Sequence, residues 1–331
     1  ALCGPTGDHP PAFVGLDAGK VERICAAALD EPDRHAALRF LHSTVPEVET
    51  PLSGVRNEGL FATHELQSGV PKRADWTEAA RKGQDCLKLR GQPLVQRLGF
   101  TLEPLPGPSY ILRAAETKVA IAVFLERNES PEMPNTRFSD LSAVSYGLAK
   151  ADAENLNYVV VSAASAIRLY PVRSGIGVGR RGRTETFVEI HLDLLSSDHA
   201  GYLWLLFSAD ALRRGGTVED ILASSARYAV DLGARLRERV YAEVVPKLSQ
   251  AILEARNLKS PSAENLAETY QMALVVLFRL LFIAYAEDKE LLPYKTNELY
   301  RARSLKQKAR ELIEILNSKT PFGHDTTHWE E

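Results

Sequence analysis

Hydrophobic residues alternate with polar ones, or run continuously over four to eight positions, in several short segments of the middle of the chain. This pattern predicts strands. They cover residues 110–113, 119–125, 158–161, 166–172 and 185–192. The first two read as a hairpin that turns at 114–118. Helical spacing predicts helices at 18–29, 35–42, 75–98 and 138–150, the third capped by Asp75. The order of helix, strands, helix and strands is typical of a compact α/β core.

The C-terminal third follows a different pattern, with helical spacing from Thr217 onward and a long helix that Pro246 should break or kink. One apolar stripe repeats at helical intervals and ends before Pro293; it contains Leu274, Leu277, Phe278, Leu281, Phe282 and Tyr285. We expect these side chains to be buried in a helix bundle. The patterns divide the chain into a helical and loop lead at 1–70, an α/β domain at 71–208 and a helical domain at 209–331.

Composition sets limits on the class of protein. The chain has 331 residues, of which 45% are hydrophobic and 25% charged, as in an ordinary soluble globular protein. Three cysteines, Cys3, Cys25 and Cys86, lie too far apart for a CxxC metal site, and a reducing cytoplasm is the expected setting. No signal peptide is visible. The longest apolar stretch, 272–286, contains Arg279 and is too short to cross a bilayer, so no membrane is expected.

The net charge of −3 argues against nucleic-acid binding by the whole surface but leaves room for local basic groups. Two such groups occur. The first basic group has no acid between Asn155 and Thr184 and contains Arg168, Arg173, Arg180, Arg181 and Arg183; the second contains Lys295, Arg301, Arg303, Lys306, Lys308 and Arg310 with a single acid, Glu298. Either group could neutralise phosphates, or could be a solvated face.

A glycine motif, Gly177-x-Gly179-x-x-Gly182, lies inside the first basic group. It leads into a strand instead of opening a helix, so a dinucleotide site is not expected. We interpret the segment as a flexible arginine-rich hairpin tip that could enter a DNA groove.

The run from Val276 to Pro293 resembles a signature of large bacterial enzymes that join a DNA adenine methyltransferase to a restriction nuclease (type IIG), and of the related BREX and DISARM phage-defence methyltransferases. Its order carries the resemblance: Arg279 in an apolar stripe, then Tyr-Ala-Glu-Asp, Leu-Leu-Pro and a basic helix. The segments LGFTLEP, IRLYPV and FVEIHLDLL also look like family counterparts. The resemblance implies a PD-(D/E)XK nuclease-like α/β core with a mixed sheet and flanking helices at 76–207, followed by an all-α helical connector at 217–316.

The resemblance also shows where nuclease residues should stand. The family places an acid at Ser109, and a glutamate and a lysine at Phe124 and Glu126. Phenylalanine cannot hold Mg²⁺, and glutamate reverses the charge of the lysine position, so we interpret the domain as an inactive nuclease.

Two other ligand sets stay open. Glu116-Thr117-Lys118 is a literal Glu-x-Lys in the predicted turn, and Glu126 could act with Glu129 or Glu132 on the following loop. Mg²⁺ is expected only if one of these sets is active.

Methyltransferase motifs are missing: no Asn-Pro-Pro-Tyr/Phe and no glycine-rich loop for S-adenosylmethionine occur. The sequence starts without methionine and stops soon after the connector. We therefore expect the N-terminal part of a longer protein, with no cofactor in this chain and S-adenosylmethionine in the parent.

The expected partners are DNA, the absent C-terminal methyltransferase domain and other defence-system subunits. The expected role is DNA positioning or partner docking in the cytoplasm. Two alternatives are an active metal-dependent DNA endonuclease with atypical ligands and a non-catalytic protein-interaction module of a defence complex.

Overall fold

The computed structural model describes residues 54–318 except 127–128, 180–181, 259, 289–290 and 295–296, and, before them, residues 2–3, 12–13, 18–29, 34, 37–38, 40–41 and 52. The chain forms two compact units, unit 1 at Ala1–Asp231 and unit 2 at Leu232–Glu331.

Unit 1 is built on a seven-stranded mixed sheet of spatial order β3-β11-β10-β9-β6-β5-β4. Its strands are β3 Val55–Glu58, β4 Thr101–Pro104, β5 Ser109–Ala114, β6 Thr117–Phe124, β9 Tyr158–Ser162, β10 Ala166–Pro171 and β11 Phe187–His191. The two-residue pairs β1 Leu2–Cys3 with β2 Ala12–Phe13, and β7 Pro134–Asn135 with β8 Leu141–Ser142, lie outside this sheet. Every pairing within the sheet is antiparallel except that of β6 with β9.

The helices of unit 1 cover both faces of the sheet. They are α1 Ala18–Leu29, α2 Trp76–Gln84, α3 Gly91–Arg97, α4 Ala143–Ala153, α5 Gly201–Phe207, α6 Ala209–Leu212 and α7 Thr217–Arg239, the last of which extends into unit 2. Helix α4 makes the crossover between the parallel strands β6 and β9. It packs on one face of the sheet, while α3, α5 and α6 pack on the other.

Strand β6 shows how the sequence encodes this two-sided burial. Its run of Val119 to Val123 is buried throughout. Ile121 and Val123 face α4, whereas Ala120 and Ala122 face the opposite cluster. A strand that is buried on both sides needs a continuous apolar run, which is what the sequence supplies.

The predicted strands at 110–113, 119–125, 158–161, 166–172 and 185–192 are confirmed within a few residues, as is helix 18–29. Of predicted helix 35–42, the described residues 37–38 and 40–41 are helical. Strands β3 and β4 were not predicted, and predicted helix 138–150 begins only at Ala143.

The single helix predicted at 75–98 is wrong, because the structure has two helices with a break at 85–90. Pro93 lies in the first turn of α3. It cannot sit inside a continuous helix, since it has no N–H and its ring would clash with the carbonyl of Leu89. Asp75 precedes α2 without capping it by its side chain. Its carboxylate instead accepts two hydrogen bonds from Arg73, both of 2.9 Å.

The glycine motif packs against the sheet edge. The backbone N–H groups of Val178 and Gly179 both donate to the Gly59 carbonyl, at 2.9 Å each. A Cβ on Gly177, whose φ is 101°, would lie 2.6 Å from that carbonyl oxygen. The described part of the segment is therefore held by backbone contacts, in contrast to the expected flexible tip; Arg180 and Arg181 lie outside the described residues.

Unit 2 consists of helices. After α7 come a turn of π-helix at Val240–Val244, α8 Val245–Ala255, α9 Ala263–Asp288, α10 Glu298–Arg303 and α11 Leu305–Asn317. At Pro246, where the sequence predicts a break or kink, the backbone stays helical, and the α-helical pattern is interrupted by the π-helical turn that precedes the proline. The proline stands in the first turn of α8, and the N–H of Val245 bonds to the carbonyl of Val240, five residues back.

Helix α9 has 26 residues, and by length and composition alone it could cross a bilayer, with a mean hydropathy of 1.6 in its most apolar window. The expectation that this stretch is too short is therefore wrong. Arg279 interrupts the window, and one side of α9 packs against α8 and α11. These features are consistent with a helix of a soluble protein.

A buried carboxylate fixes the end of α9. Glu287 is 2% exposed. It accepts hydrogen bonds from the N–H groups of Leu305 and Lys306, at 2.8 and 3.1 Å, and from the hydroxyl of Tyr300 at 3.1 Å. Glu287 thus caps the first turn of α11 from another helix, where a negative charge is favourable. The Tyr-Ala-Glu-Asp sequence followed by a basic helix therefore has a structural role within unit 2.

The contact of the glycine motif predicts a difference between two alanine substitutions. Gly177→Ala should lower the free energy of unfolding by about 2 kcal/mol more than Gly175→Ala, because both carry the strain of positive φ but only Gly177 lacks space for a Cβ. Urea unfolding followed by circular dichroism measures both. Equal losses would show that the close approach to Gly59 contributes nothing.

The cap of α11 predicts the effect of a neutral isostere. Glu287→Gln should cost about 1–2 kcal/mol of unfolding free energy, because the amide keeps one acceptor and turns a donor toward a backbone N–H. Asp288→Asn is the matched control. Its surface ion pair with Lys306 should be worth less than about 1 kcal/mol. Thermal unfolding compares the two, and a larger loss for the control would contradict the capping role.

Candidate functional site

The expected nuclease residues lie where the hairpin β5–β6 meets β9. Ser109 pairs with Val123, and Tyr110 with Ala122. Directly opposed residues share a face of a sheet and neighbouring residues alternate, so Ser109 lies on the α4 face with Val123. Phe124 lies on the other face, where its ring meets Tyr110 with 5.5 Å between centroids. The expected positions Ser109 and Phe124 are therefore not on one face and do not form one site.

The face that Ser109 shares is apolar. Its buried neighbours in the cluster beneath α4 include Ile111, Ile121, Val123 and Phe138. The hydroxyl of Ser109 is itself buried and has no hydrogen-bond partner among the described residues. Two carboxylates on this face, Glu103 opposite Ile111 and Glu189 opposite Arg168, are each paired with an arginine, and the buried neighbours of Ser109 supply no ligand of the kind that Mg²⁺ prefers.

The loop after β6 uses its acids for ion pairs. Arg137 pairs with Glu129, and its Nε lies 3.6 Å from Glu126 Oε1. The same Glu129 oxygen, Oε2, also accepts a 2.8 Å hydrogen bond from the N–H of Glu126. Glu132 pairs with Arg168 instead. Within the described ranges, no three His, Cys, Asp or Glu side chains gather as a metal site would require.

The literal Glu-x-Lys lies at the other end of β6. Glu116 stands in the hairpin turn beside Ala115, whose φ is 50°, while Lys118 is already in the strand. Lys118 Nζ lies 2.7 Å from Glu154 Oε2. Phe124 lies seven residue steps along the strand from Thr117, a distance of roughly 23 Å. Glu116 and Lys118 therefore cannot act with Glu126.

Arg168, in the first basic group, is held inside unit 1. Its side chain is 13% exposed, pairs with Glu132 and Glu189, and donates a 3.2 Å hydrogen bond to the Tyr170 hydroxyl. Its guanidinium also lies 4.8 Å from the centroid of the Phe187 ring. Burial lowers the pKa of Arg168, but the charges of Glu189 and Glu132 together with the contact to Tyr170 outweigh burial and raise it. This arginine is unsuited to bind a phosphate.

The other candidate cations differ in how far they are engaged. Arg183 pairs with Asp152 at 2.7 Å, Lys306 pairs with Asp288, Lys308 pairs with Glu311 at 3.3 Å, and Arg301 donates to the Tyr294 carbonyl at 3.0 Å. Among the cations that the structure describes, Arg173, Arg303 and Arg310 are exposed with no ion pair. Arg173 belongs to unit 1 and the other two to unit 2. Five of the eight described candidates, Arg168, Arg183, Arg301, Lys306 and Lys308, are thus engaged by neighbouring groups, and Arg180 and Arg181 lie outside the described residues.

Sequence reasoning missed an acidic cavity of about 250 Å³ in unit 1. Helices α2, α6 and α7 bring its lining together from separate parts of the chain: it includes Asp75, Glu78, Lys82, Trp204, Asp210, Arg213 and Asp220. Lys82 Nζ lies 5.1 Å from the Trp204 ring centroid. Acids outnumber bases in this lining, so the cavity repels phosphates.

The ion pairs of Arg168 predict a loss of stability rather than of DNA affinity alone. Arg168→Met should lower the free energy of unfolding by about 3 kcal/mol, because it leaves the mostly buried Glu189 carboxylate without its partner. Arg173→Met, an exposed control, should change it by less than about 0.5 kcal/mol. Urea unfolding at pH 7 tests both, and a stable Arg168→Met protein would contradict the structural role.

The same pair predicts a pH dependence. Burial alone would raise the pKa of Glu132, but the charge of Arg168 and the hydrogen bonds from Arg168 and Ser130 together outweigh burial and hold the pKa below its ordinary value of 4.5. A lowered pKa in the folded state contributes stability above the ordinary pKa, and the contribution disappears as the pH falls below it. The stability gap between the parent protein and Arg168→Met should therefore narrow below about pH 4.5. A gap that widened with acid would be inconsistent with this.

Comparison of the chain with protein-family models, with curated proteins and with solved structures gives no match. The resemblance to type IIG, BREX and DISARM enzymes therefore depends only on the 276–293 run and on the segments LGFTLEP, IRLYPV and FVEIHLDLL.

Proposed function

We propose that this chain is the non-catalytic nuclease-like domain and helical connector of a DNA adenine methyltransferase in a restriction-modification or phage-defence system, and that it acts by docking partners. S-adenosylmethionine and the methylation chemistry would belong to a methyltransferase domain outside these residues. DNA remains a partner of the whole protein in this proposal.

The topology supports a nuclease-like origin. Helix α3 leads into the three antiparallel strands β4, β5 and β6, and α4 then crosses over to β9, which is parallel to β6. This order of helix, three strands, helix and parallel strand is what a PD-(D/E)XK core would have. The likeness concerns connectivity, and connectivity alone does not establish an activity.

One observation carries the non-catalytic role. The register of β5 and β6 places Ser109 opposite Val123 on a buried apolar face. Moving the alignment by one residue exchanges Phe124 for Val123 but brings in no carboxylate. Neither alignment therefore supplies a carboxylate ligand for a metal-activated water at this position.

Docking is favoured over DNA positioning by the two kinds of surface. Arg168, Arg183 and Lys306 are paired with acids, so they would have to break ion pairs to bind phosphates. Helix α9, by contrast, exposes large apolar side chains, including Phe278 at 64% and Phe282 at 67%. Exposed apolar clusters of this kind mark interaction sites on soluble proteins.

A cleavage assay tests the non-catalytic role. The purified chain should not cut supercoiled plasmid DNA with Mg²⁺ or Mn²⁺, and Ser109→Asp should not create activity, because its neighbours Ile111 and Val123 supply no second ligand. Gel electrophoresis over hours gives the readout. A type II nuclease assayed in parallel controls for the conditions.

Cleavage by the parent chain would overturn the proposal in favour of the active-nuclease alternative. Its site could then be located with Glu116→Gln and Glu129→Gln, since these remove carboxylates from opposite ends of β6. Glu129→Gln would need a folding check, because Glu129 holds Arg137.

A further inference from the structure

Two faces run along helix α9, and on each face side chains recur at the three- and four-residue steps that are typical of helix packing. The inner face contains Ala273, Leu277, Leu280, Ala284 and Glu287, at steps of four, three, four and three residues. Ala273, Leu277 and Glu287 are buried, and α9 packs against α8 and α11 within unit 2. A seam repeating every 3.5 residues is the spacing with which helices pack along their length.

The outer face of α9 repeats the same spacing on the opposite side. Val275, Phe278, Phe282 and Tyr285 follow one another at steps of three, four and three residues. All four side chains are exposed, with Phe278 at 64% and Phe282 at 67%. Met272 and Leu281, also exposed, flank this seam. A helix that is apolar on all sides is normally covered on all sides.

Arg279 sets the charge of the outer face. It directly follows Phe278, in the flanking position that carries the interhelical ion pairs of coiled coils. The structure describes its side chain as exposed, and none of the described acids forms an ion pair with it. A partner that covers Phe278 and Phe282 would desolvate this guanidinium, which is costly unless the partner supplies a carboxylate.

We propose that the outer face of α9 binds an amphipathic helix of a second protein, with an apolar seam against Val275, Phe278, Phe282 and Tyr285 and an acidic side chain against Arg279. This inference rests on the docking role proposed above and specifies the chemistry of the partner.

A second copy of this chain fits the outer face less well. Antiparallel pairing of two α9 helices about Leu280 would set Phe278 against Phe282, but it would bring the two Arg279 side chains together. Parallel pairing would place Leu274 of the other copy beside Arg279. Neither arrangement provides a carboxylate, and the first adds a like-charge contact.

A lipid bilayer also fits the outer face of α9 poorly. Arg279 would lie in the middle of the apolar window of α9, where a charged side chain is unfavourable in a membrane. The inner face holds the buried carboxylate Glu287 as a cap for α11, so lipid could surround at most one side of the helix.

Two synthetic peptides test the proposal. Each has four heptads with leucine at positions a and d; the acidic probe carries glutamate at e and g, and the basic probe carries lysine there. Fluorescence anisotropy with the full chain should show saturable binding of the acidic probe, about tenfold tighter than the basic one. Arg279→Glu should reverse the preference.

Exposed positions provide the control variants. Phe282→Ser should weaken binding of the acidic probe at least about tenfold, whereas Leu299→Ser, which removes an even more exposed apolar side chain from α10, should not. Circular dichroism of both variants checks that they remain folded.

Several results would overturn the inference: absent binding of both probes, equal binding of both, or a preference that Arg279→Glu leaves unchanged. Sedimentation showing a dimer that Phe282→Ser dissociates would assign the face to a second copy. Phe282-dependent binding to vesicles of phosphatidylcholine and phosphatidylglycerol would assign it to a bilayer. If neither probe binds and the chain does not cleave plasmid DNA, the non-catalytic role remains and only the proposed partner is wrong. If the chain cleaves plasmid DNA, the non-catalytic role is wrong whichever probe binds.

Discussion

The parallel pairing of β6 with β9 is the constraint on which unit 1 is built. Parallel neighbours cannot be joined by a tight turn, so the chain must leave the sheet, and α4 fills the crossover. Strand β6 then lies in the interior with helices on both sides. Its alternation of large residues toward α4 with alanines toward the other cluster follows from that position, and so does the apolar surrounding of Ser109.

Whether a strand of unit 1 could be predicted from the sequence depends on whether its own residues carry a strand pattern. Strands β5, β6, β9, β10 and β11 carry their own apolar pattern, so the sequence predicts them. Strand β3 is short and pairs with β11, about 130 residues later, and β4 is an exposed edge strand that ends at Pro104. Neither has a pattern that marks it as a strand before its partner is known.

The residues of a candidate site are harder to predict than the strands that carry them. In a strand, a shift of one residue moves a side chain to the other face of the sheet. An alignment by resemblance can therefore identify the correct strand and still join Ser109 with Phe124, which face opposite ways. The ion-pair partners of a charged residue are equally hard to predict from its sequence neighbours. Arg168 belongs to a run without acids in the sequence, yet the fold brings Glu132 and Glu189 to it from both sides. By contrast, Glu287 and Tyr300 are close in sequence, and their conspicuous spacing has a local structural cause.

The two units differ in which side chains they leave available to a partner, and this difference affects the specificity of partner binding. Unit 1 pairs two of its three described candidate phosphate-binding cations, Arg168 and Arg183, with its own acids, whereas unit 2 leaves apolar side chains exposed on the outer face of α9. Apolar burial provides affinity without direction, since any apolar surface of suitable shape can cover Phe278 and Phe282. Discrimination among partners requires a group whose burial is unfavourable with the wrong partner. On the outer face Arg279 is such a group, so the choice of partner should depend on this one charge more than on the area of the seam.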